Sequence, residues 1–306
     1  MQALASYIMR GRLQAVMTVV MFAGLSFLLP PFTSPLSFFS GAALTLVTLR
    51  LGPQQGVWVL LLAAVTLGLF SLLSLSNVVP AVAVAGAIWI PAWLLAVVLR
   101  RTVSWSQTMT VALAMGMALV LAIFAALGDP VEWFYQALEE NLKPLLLASM
   151  TGVDQADATI EQLLRQLSQG MTGTVAMAVV THALICLLLG RWWQATLYNP
   201  GGFKTEFLGL RLGKALAGIA VLLLALDLAG TGHLVSNLLL VAEAVFVLQG
   251  LAVVHAIASA KGLHSGWLAP MYVLMPFLMG LLALMGVVDV WADFRARAGV
   301  AKTKDS

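Results

Sequence analysis

The chain has 306 residues, 61% of them hydrophobic and only 9% charged, with 16 basic against 13 acidic residues for a net charge of +3. A soluble globular domain cannot use so much apolar surface, so the solvent this chain is built for is mainly lipid. Its basic residues are scattered through short gaps between apolar runs, which lends no support to nucleic-acid binding.

A helix needs about 20 residues to cross the hydrocarbon core. Apolar segments near that length run over 13–29, 36–51, 56–75, 78–99, 107–128, 171–190, 214–229, 234–260 and 266–288. The expected fold is all-α: a polytopic bundle of eight or nine spans, with 36–51 and 214–229 short enough to be half-spans. Arg10 and Arg12 ahead of 13–29 resemble a secretion signal, but Pro30-Pro31 follows without an Ala-x-Ala site, so this reads as a retained first span. Gly52-Pro53 and Gly56 make a tight reversal before the third segment, and Ser76-Asn77 makes another after it. The fifth segment repeats Ala114, Ala118, Ala122 and Ala126, with Ala112 and Gly116 on an adjacent line, a spacing that lets a second helix approach closely.

Residues 129–170 read as an outer amphipathic insertion. Asp129-Pro130-Val131-Glu132 is a helix start, and Val131, Phe134, Leu138 and Leu142 follow one face. A second short helix is expected around Ile160, Leu163, Leu164 and Leu167. Trp133 and Tyr135 suit headgroup-level anchoring, and Glu139, Glu140, Asp154 and Asp157 suit either a solvated face or a cation. The sixth segment carries His182 and Cys186, the single cysteine, which can form no internal disulfide.

Segment 191–213 follows: Arg191-Trp192-Trp193-Gln194, then Tyr198-Asn199-Pro200-Gly201-Gly202-Phe203-Lys204-Thr205-Glu206-Phe207, ending near Arg211. Asn-Pro-Gly-Gly must turn. The segment is either an interfacial loop or a docking elbow for a membrane or cytoplasmic protein partner, with Arg191, Tyr198, Phe203, Phe207 and Arg211 as the contact residues. Asp227 lies close to the outer end of the seventh segment and His233 in the Gly230-Thr231-Gly232-His233 turn that follows, as part of an outer site entrance or as solvated or capping residues. Glu243 lies nine residues into the eighth segment, roughly 13 Å deep. Gln249 and His255 follow on the same helix but point about 120° apart from it and from each other. Any partner for Glu243 must therefore come from another helix, and His182 is the candidate at similar depth.

Basic residues in short loops mark the inner side of a membrane. With a cytoplasmic N-terminus, Arg10, Arg12, Arg50, Arg100, Arg101, Arg191, Lys204, Arg211, Lys214 and Lys261 fall inside if all nine segments cross. Arg295, Arg297, Lys302 and Lys304 would then lie outside, whereas an eight-span count brings them in. Parity stays open. A bacterial inner membrane is the expected location.

Four stretches carry a resemblance: Pro35-Leu36 with Leu49-Arg50-Leu51-Gly52-Pro53-Gln54-Gln55-Gly56, the Tyr198–Phe207 elbow, Leu248-Gln249-Gly250-Leu251-Ala252, and Gly286-Val287-Val288-Asp289 with Asp293-Phe294-Arg295. Together they resemble the YybS-like family of bacterial membrane proteins, itself similar to the S components of energy-coupling-factor transporters. The resemblance implies an S-component-like six-span region over 1–190, including the insertion. To it are added the elbow at 191–213, C-terminal spans over 214–290, and a basic tail over 291–306.

A carboxylate inside an apolar span is costly and so a functional suspect. Glu243 can hold helices together, contact a small-molecule ligand in the bundle, or couple to protons; His182, Asp227 and His233 are the companion candidates. No phosphate-binding loop, dinucleotide fingerprint, His-Glu-x-x-His or Gly-x-Ser-x-Gly motif is present, so neither an enzyme, a cofactor nor a metal is expected. The function expected is binding or moving a small molecule without an ATPase of its own. The alternative is a non-transporting scaffold that recruits protein partners through the elbow.

Overall fold

In a computed structural model, residues 1–27, 29, 32–149 and 156–298 are described. The Pro30-Pro31 pair, Asp154, Lys302 and Lys304 lie outside the described residues. The helices in chain order are α1 (Gln2–Ile8), α2 (Arg12–Leu25), α3 (Leu36–Leu51), α4 (Pro53–Leu75), α5 (Val79–Val84), α6 (Ile90–Thr102), α7 (Trp105–Leu127), α8 (Pro130–Ser149), α9 (Ala156–Tyr198), α10 (Gly202–Leu208), α11 (Lys214–Leu228), α12 (His233–Ala260), α13 (Ala269–Val273), α14 (Met275–Ala292) and α15 (Phe294–Arg297). No strand occurs among the described residues. Among the described residues, six helices are long and apolar enough to cross a membrane: α4, the α5–α6 run, α7, α9, α12 and α14, while α2 and α3 are shorter apolar helices.

Local chemistry explains the boundaries. α4 starts at Pro53, where a missing N–H costs nothing, after Gly52 at φ 107°, a conformation a side chain would strain. A π-helical turn, Ala85–Trp89, joins α5 to α6 just ahead of Pro91, whose ring would otherwise crowd the preceding turn. That turn leaves Trp89 fully buried, donating through Nε1 to Ser40 Oγ at 3.0 Å. Ser40 in turn donates to the Val19 carbonyl at 2.7 Å, tying α6, α3 and α2 together.

The central helices are α9 and α12. α3, α6, α7 and α8 pack on α9; α9, α7, α11 and α14 pack on α12. α3 approaches α9 closely because Gly41 faces Cys186 and Gly190 faces Thr45, positions where a methyl group would collide. Thr45 Oγ1 also donates to the Cys186 carbonyl at 3.0 Å.

Several expectations shift. The second short helix of the insertion and the sixth span are one 43-residue helix, α9, whose length of about 65 Å exceeds the bilayer core. Its first turns pack on α8 through Tyr135, Ile160 and Leu164, so Tyr135 is buried rather than a surface anchor, while Trp133 stays exposed. α9 also runs on to Tyr198, so the elbow is shorter than 191–213. Ala112 and Gly116 face the interior, Gly116 against Val180 and Val241, but the Ala114, Ala118, Ala122 and Ala126 stripe points outward. The last segment is not one helix: Pro270 and Pro276 fall in separate pieces, and the long part is shifted to α14.

The ends of the bundle differ in charge. Arg12 donates to Gln55 at 2.8 Å, Arg100 donates to the Leu49 carbonyl, Gln194 reaches the same carbonyl at 3.5 Å, and Arg50 lies 4.0 Å over the Tyr198 ring. Arg211 pairs with Asp293 at 2.8 Å. The N-terminal helix, the elbow and the start of the tail therefore share one basic end.

Candidate functional site

Glu243 lies ten residues into α12, about 15 Å along it. It lines a crevice of about 170 Å³ between α11, α12 and α14, with Ala220 and Leu224 on one wall, Leu239 and Phe246 beside it, and Gly280 and Leu284 opposite. Glu243 is the only charged side chain in that lining. It is half-buried, and no hydrogen bond or ion pair reaches its carboxyl among the described residues. A Cβ built on Gly280 would stand 3.6 Å from Glu243 Oε1, so the crevice exists beside the carboxyl because position 280 has no side chain.

His182 is elsewhere. Its ring stacks on Phe38 of α3 at 4.4 Å and its Nε2 is buried without a hydrogen-bond partner, so the structure does not bring it to Glu243. Asp227 accepts from Ser236 Oγ at the α11–α12 turn, and His233 is exposed there, its carbonyl accepting from Asn237 at 2.6 Å. Both are local turn residues, away from the crevice lining.

The elbow residues are largely held by the protein itself. Arg191 pairs with Glu206, which also accepts from Trp105 Nε1 at 3.3 Å. Phe203 and Phe207 stack at 6.1 Å, and Phe207 meets the His255 ring edge-on at 5.6 Å. Nδ1 of His255 bonds the Leu251 carbonyl at 2.8 Å, which leaves Nε2 to accept from the Tyr272 hydroxyl at 3.0 Å. Tyr198 remains 45% exposed.

Just beneath the elbow lies a buried polar clasp. Gln249 accepts from the Leu212 amide at 2.8 Å and donates to the Gly286 carbonyl at 2.8 Å and to Asp289 at 3.4 Å. Asp289 pairs with Arg295 at 2.7 Å, both side chains 1% exposed. Arg295 also donates to the carbonyls of Leu208 and Leu210, at 3.0 and 2.8 Å. Gly280 opposite Glu243 and Gly286 opposite Gln249 show α12 and α14 running side by side in the same direction. Residues 261–274 therefore lead the chain back along α12. Two of the stretches behind the family resemblance meet in this clasp, the Gln249-Gly250 run and the Gly286-to-Arg295 end, beside the residues that follow the elbow stretch.

A family model described as predicted membrane protein (DUF2232) matches residues 16–290. The chain belongs to this family. The YybS-like proteins are part of DUF2232, so the motif resemblance and the family match agree. No curated protein and no solved structure matches the chain. Neither the family match nor these comparisons show a similarity to S components.

For this DUF2232 protein, sequence reasoning missed Asp289 and Arg295, placing them at a span end and in a basic tail. Their signal in the sequence is the short Asp-to-Arg spacing, which puts opposite charges six residues apart at a span end. Gln249 was noticed but given no partner, because its partners come from 37 and 40 residues away.

Proposed function

We propose that this is a multi-pass protein of the bacterial inner membrane that binds, and passes on, a small lipophilic molecule through the Glu243 crevice, with no ATPase of its own. One contrast supports the reading. The buried charges of the clasp are paired and hydrogen-bonded, as buried charges must be. Glu243 alone faces an open apolar space, where an occupant can supply the missing partner.

The basic end is the cytoplasmic one on the positive-inside reading. Because the N-terminal helix and the start of the tail share it, the chain crosses an even number of times. That favours the even member of the eight-or-nine expectation, or a higher even count if 261–274 itself re-crosses. The scaffold reading has less to draw on, since Arg191 and Arg211 are paired internally and Phe203 and Phe207 are packed.

Gly280→Leu tests the reading, since it fills the crevice and leaves the carboxyl in place. Organic extracts of the purified wild type, examined by mass spectrometry, should contain a small lipophilic compound that falls at least about tenfold in the variant. Identical extracts from the two proteins would refute binding at this crevice.

A further inference from the structure

We infer that the occupant of the crevice is a lipophilic organic cation, an ammonium carrying about one aromatic ring. This rests on the binding reading above and adds the charge and the size of what is bound.

The charge follows from what surrounds Glu243. An apolar site offers its carboxyl nothing, no cation lines the crevice among the described residues, and the arginines of the adjoining turn pair elsewhere, Arg295 with Asp289 and Arg211 with Asp293. An ammonium ion completes the pair whichever way the proton starts: it meets a carboxylate directly, or a neutral amine takes the proton from the carboxylic acid and the same ion pair results. An anion would add a second like charge. Phe246, 1% exposed and lining the same space, adds an aromatic surface that attracts cations and not anions.

The size follows from the volume. A cavity of about 150 Å³ lined by aliphatic residues takes a benzene molecule, and this one measures about 170 Å³. The route follows from the rim. Val221, Leu224 and Leu284 are 46%, 39% and 50% exposed on the outward faces of α11 and α14, so the occupant arrives from the lipid. A free cation fits better than a lipid headgroup, because Glu243 lies about 15 Å along its helix and headgroups stay at the interface. A partner helix fits worse, because the rim is bulky and helix contacts need small residues.

The test uses the full chain in dodecyl maltoside micelles and follows thermal unfolding with three probes. These are benzyltrimethylammonium, its neutral isostere (2,2-dimethylpropyl)benzene, and phenylacetate. The cation should stabilise the wild type saturably, with a dissociation constant at least about tenfold below that of the isostere, and phenylacetate should do nothing. Glu243→Gln should weaken the cation at least about tenfold and leave the isostere unchanged, while Gly280→Leu should abolish both. Equal binding of cation and isostere, both lost in Gly280→Leu, overturns the cation inference and leaves the crevice reading standing. Probe binding that ignores Gly280→Leu overturns both. Displacement of the cation by added phosphatidylethanolamine would make the occupant a headgroup and overturn the free-cation assignment.

Discussion

Replacing Arg295 with Met should be among the most damaging single changes in this chain. The guanidinium and the Asp289 carboxylate are each 1% exposed and 2.7 Å apart, so removing one strands the other in a dry site. Asp289 would keep only the Phe294 amide at 3.0 Å and Gln249 at 3.4 Å. The carbonyls of Leu208 and Leu210 would lose their shared donor. Breaking a buried pair from one side costs about 3–5 kcal/mol, against about 0–1 kcal/mol for an exposed one. Arg295→Lys should fall between, since one ammonium cannot match the planar fork that serves a carboxylate and two carbonyls. Asp289→Leu with Arg295→Met removes both charges, and its loss should fall short of the sum of the single losses by at least about 2 kcal/mol. The assay is equilibrium unfolding in mixed dodecyl maltoside and dodecyl sulfate micelles, followed by tryptophan fluorescence. A loss below about 1 kcal/mol for Arg295→Met, or strict additivity in the double variant, would show that the pair is not buried in the folded protein.

The same assay checks three further expectations. Gly286→Ala drives a methyl group into the Phe246 carbonyl and should cost about 1–3 kcal/mol, whereas Gly218→Ala meets open space and should gain about 0.5–1 kcal/mol. Gln249→Leu leaves the buried Leu212 amide without an acceptor and should cost about 1–3 kcal/mol. Asn237→Ala should cost a similar amount, about 1–3 kcal/mol, because that buried side chain accepts from the Gly173 amide and donates to the Gln169 carbonyl at 2.8 Å.

The apolar runs read well from the sequence because lipid imposes a length and a composition together. The 36–51 segment coincides with α3, and 214–229 differs from α11 by one residue. What failed was whatever depended on neighbours. Residues 156–170 look like a separate surface helix because their polar face is solvated, yet nothing in the backbone interrupts them before the apolar stretch. Tyr135 reads as an interfacial anchor by type, but Arg165 covers it, 4.2 Å over its ring. Glu243 stood out by charge alone, and its setting was beyond reach, because the absent side chain that opens its crevice belongs to Gly280, 37 residues on.

The length of α9 has a mechanical consequence. Helices bend sharply at proline, at glycine and serine pairs, at π-bulges or where a group inserts into the backbone ladder; α9 has no proline in its 43 residues, but Asn237 inserts between its Gln169 carbonyl and its Gly173 amide. One end is bolted to α8 through Tyr135, Ile160 and Leu164, the other to the elbow through Arg191 and Glu206. It therefore acts as two stiff arms within a length of about 65 Å, meeting where Asn237 of α12 enters the ladder. A force applied to the α8 hairpin reaches that joint first, so the grip of α12 on it sets how much of the tilt passes to the elbow at the opposite end.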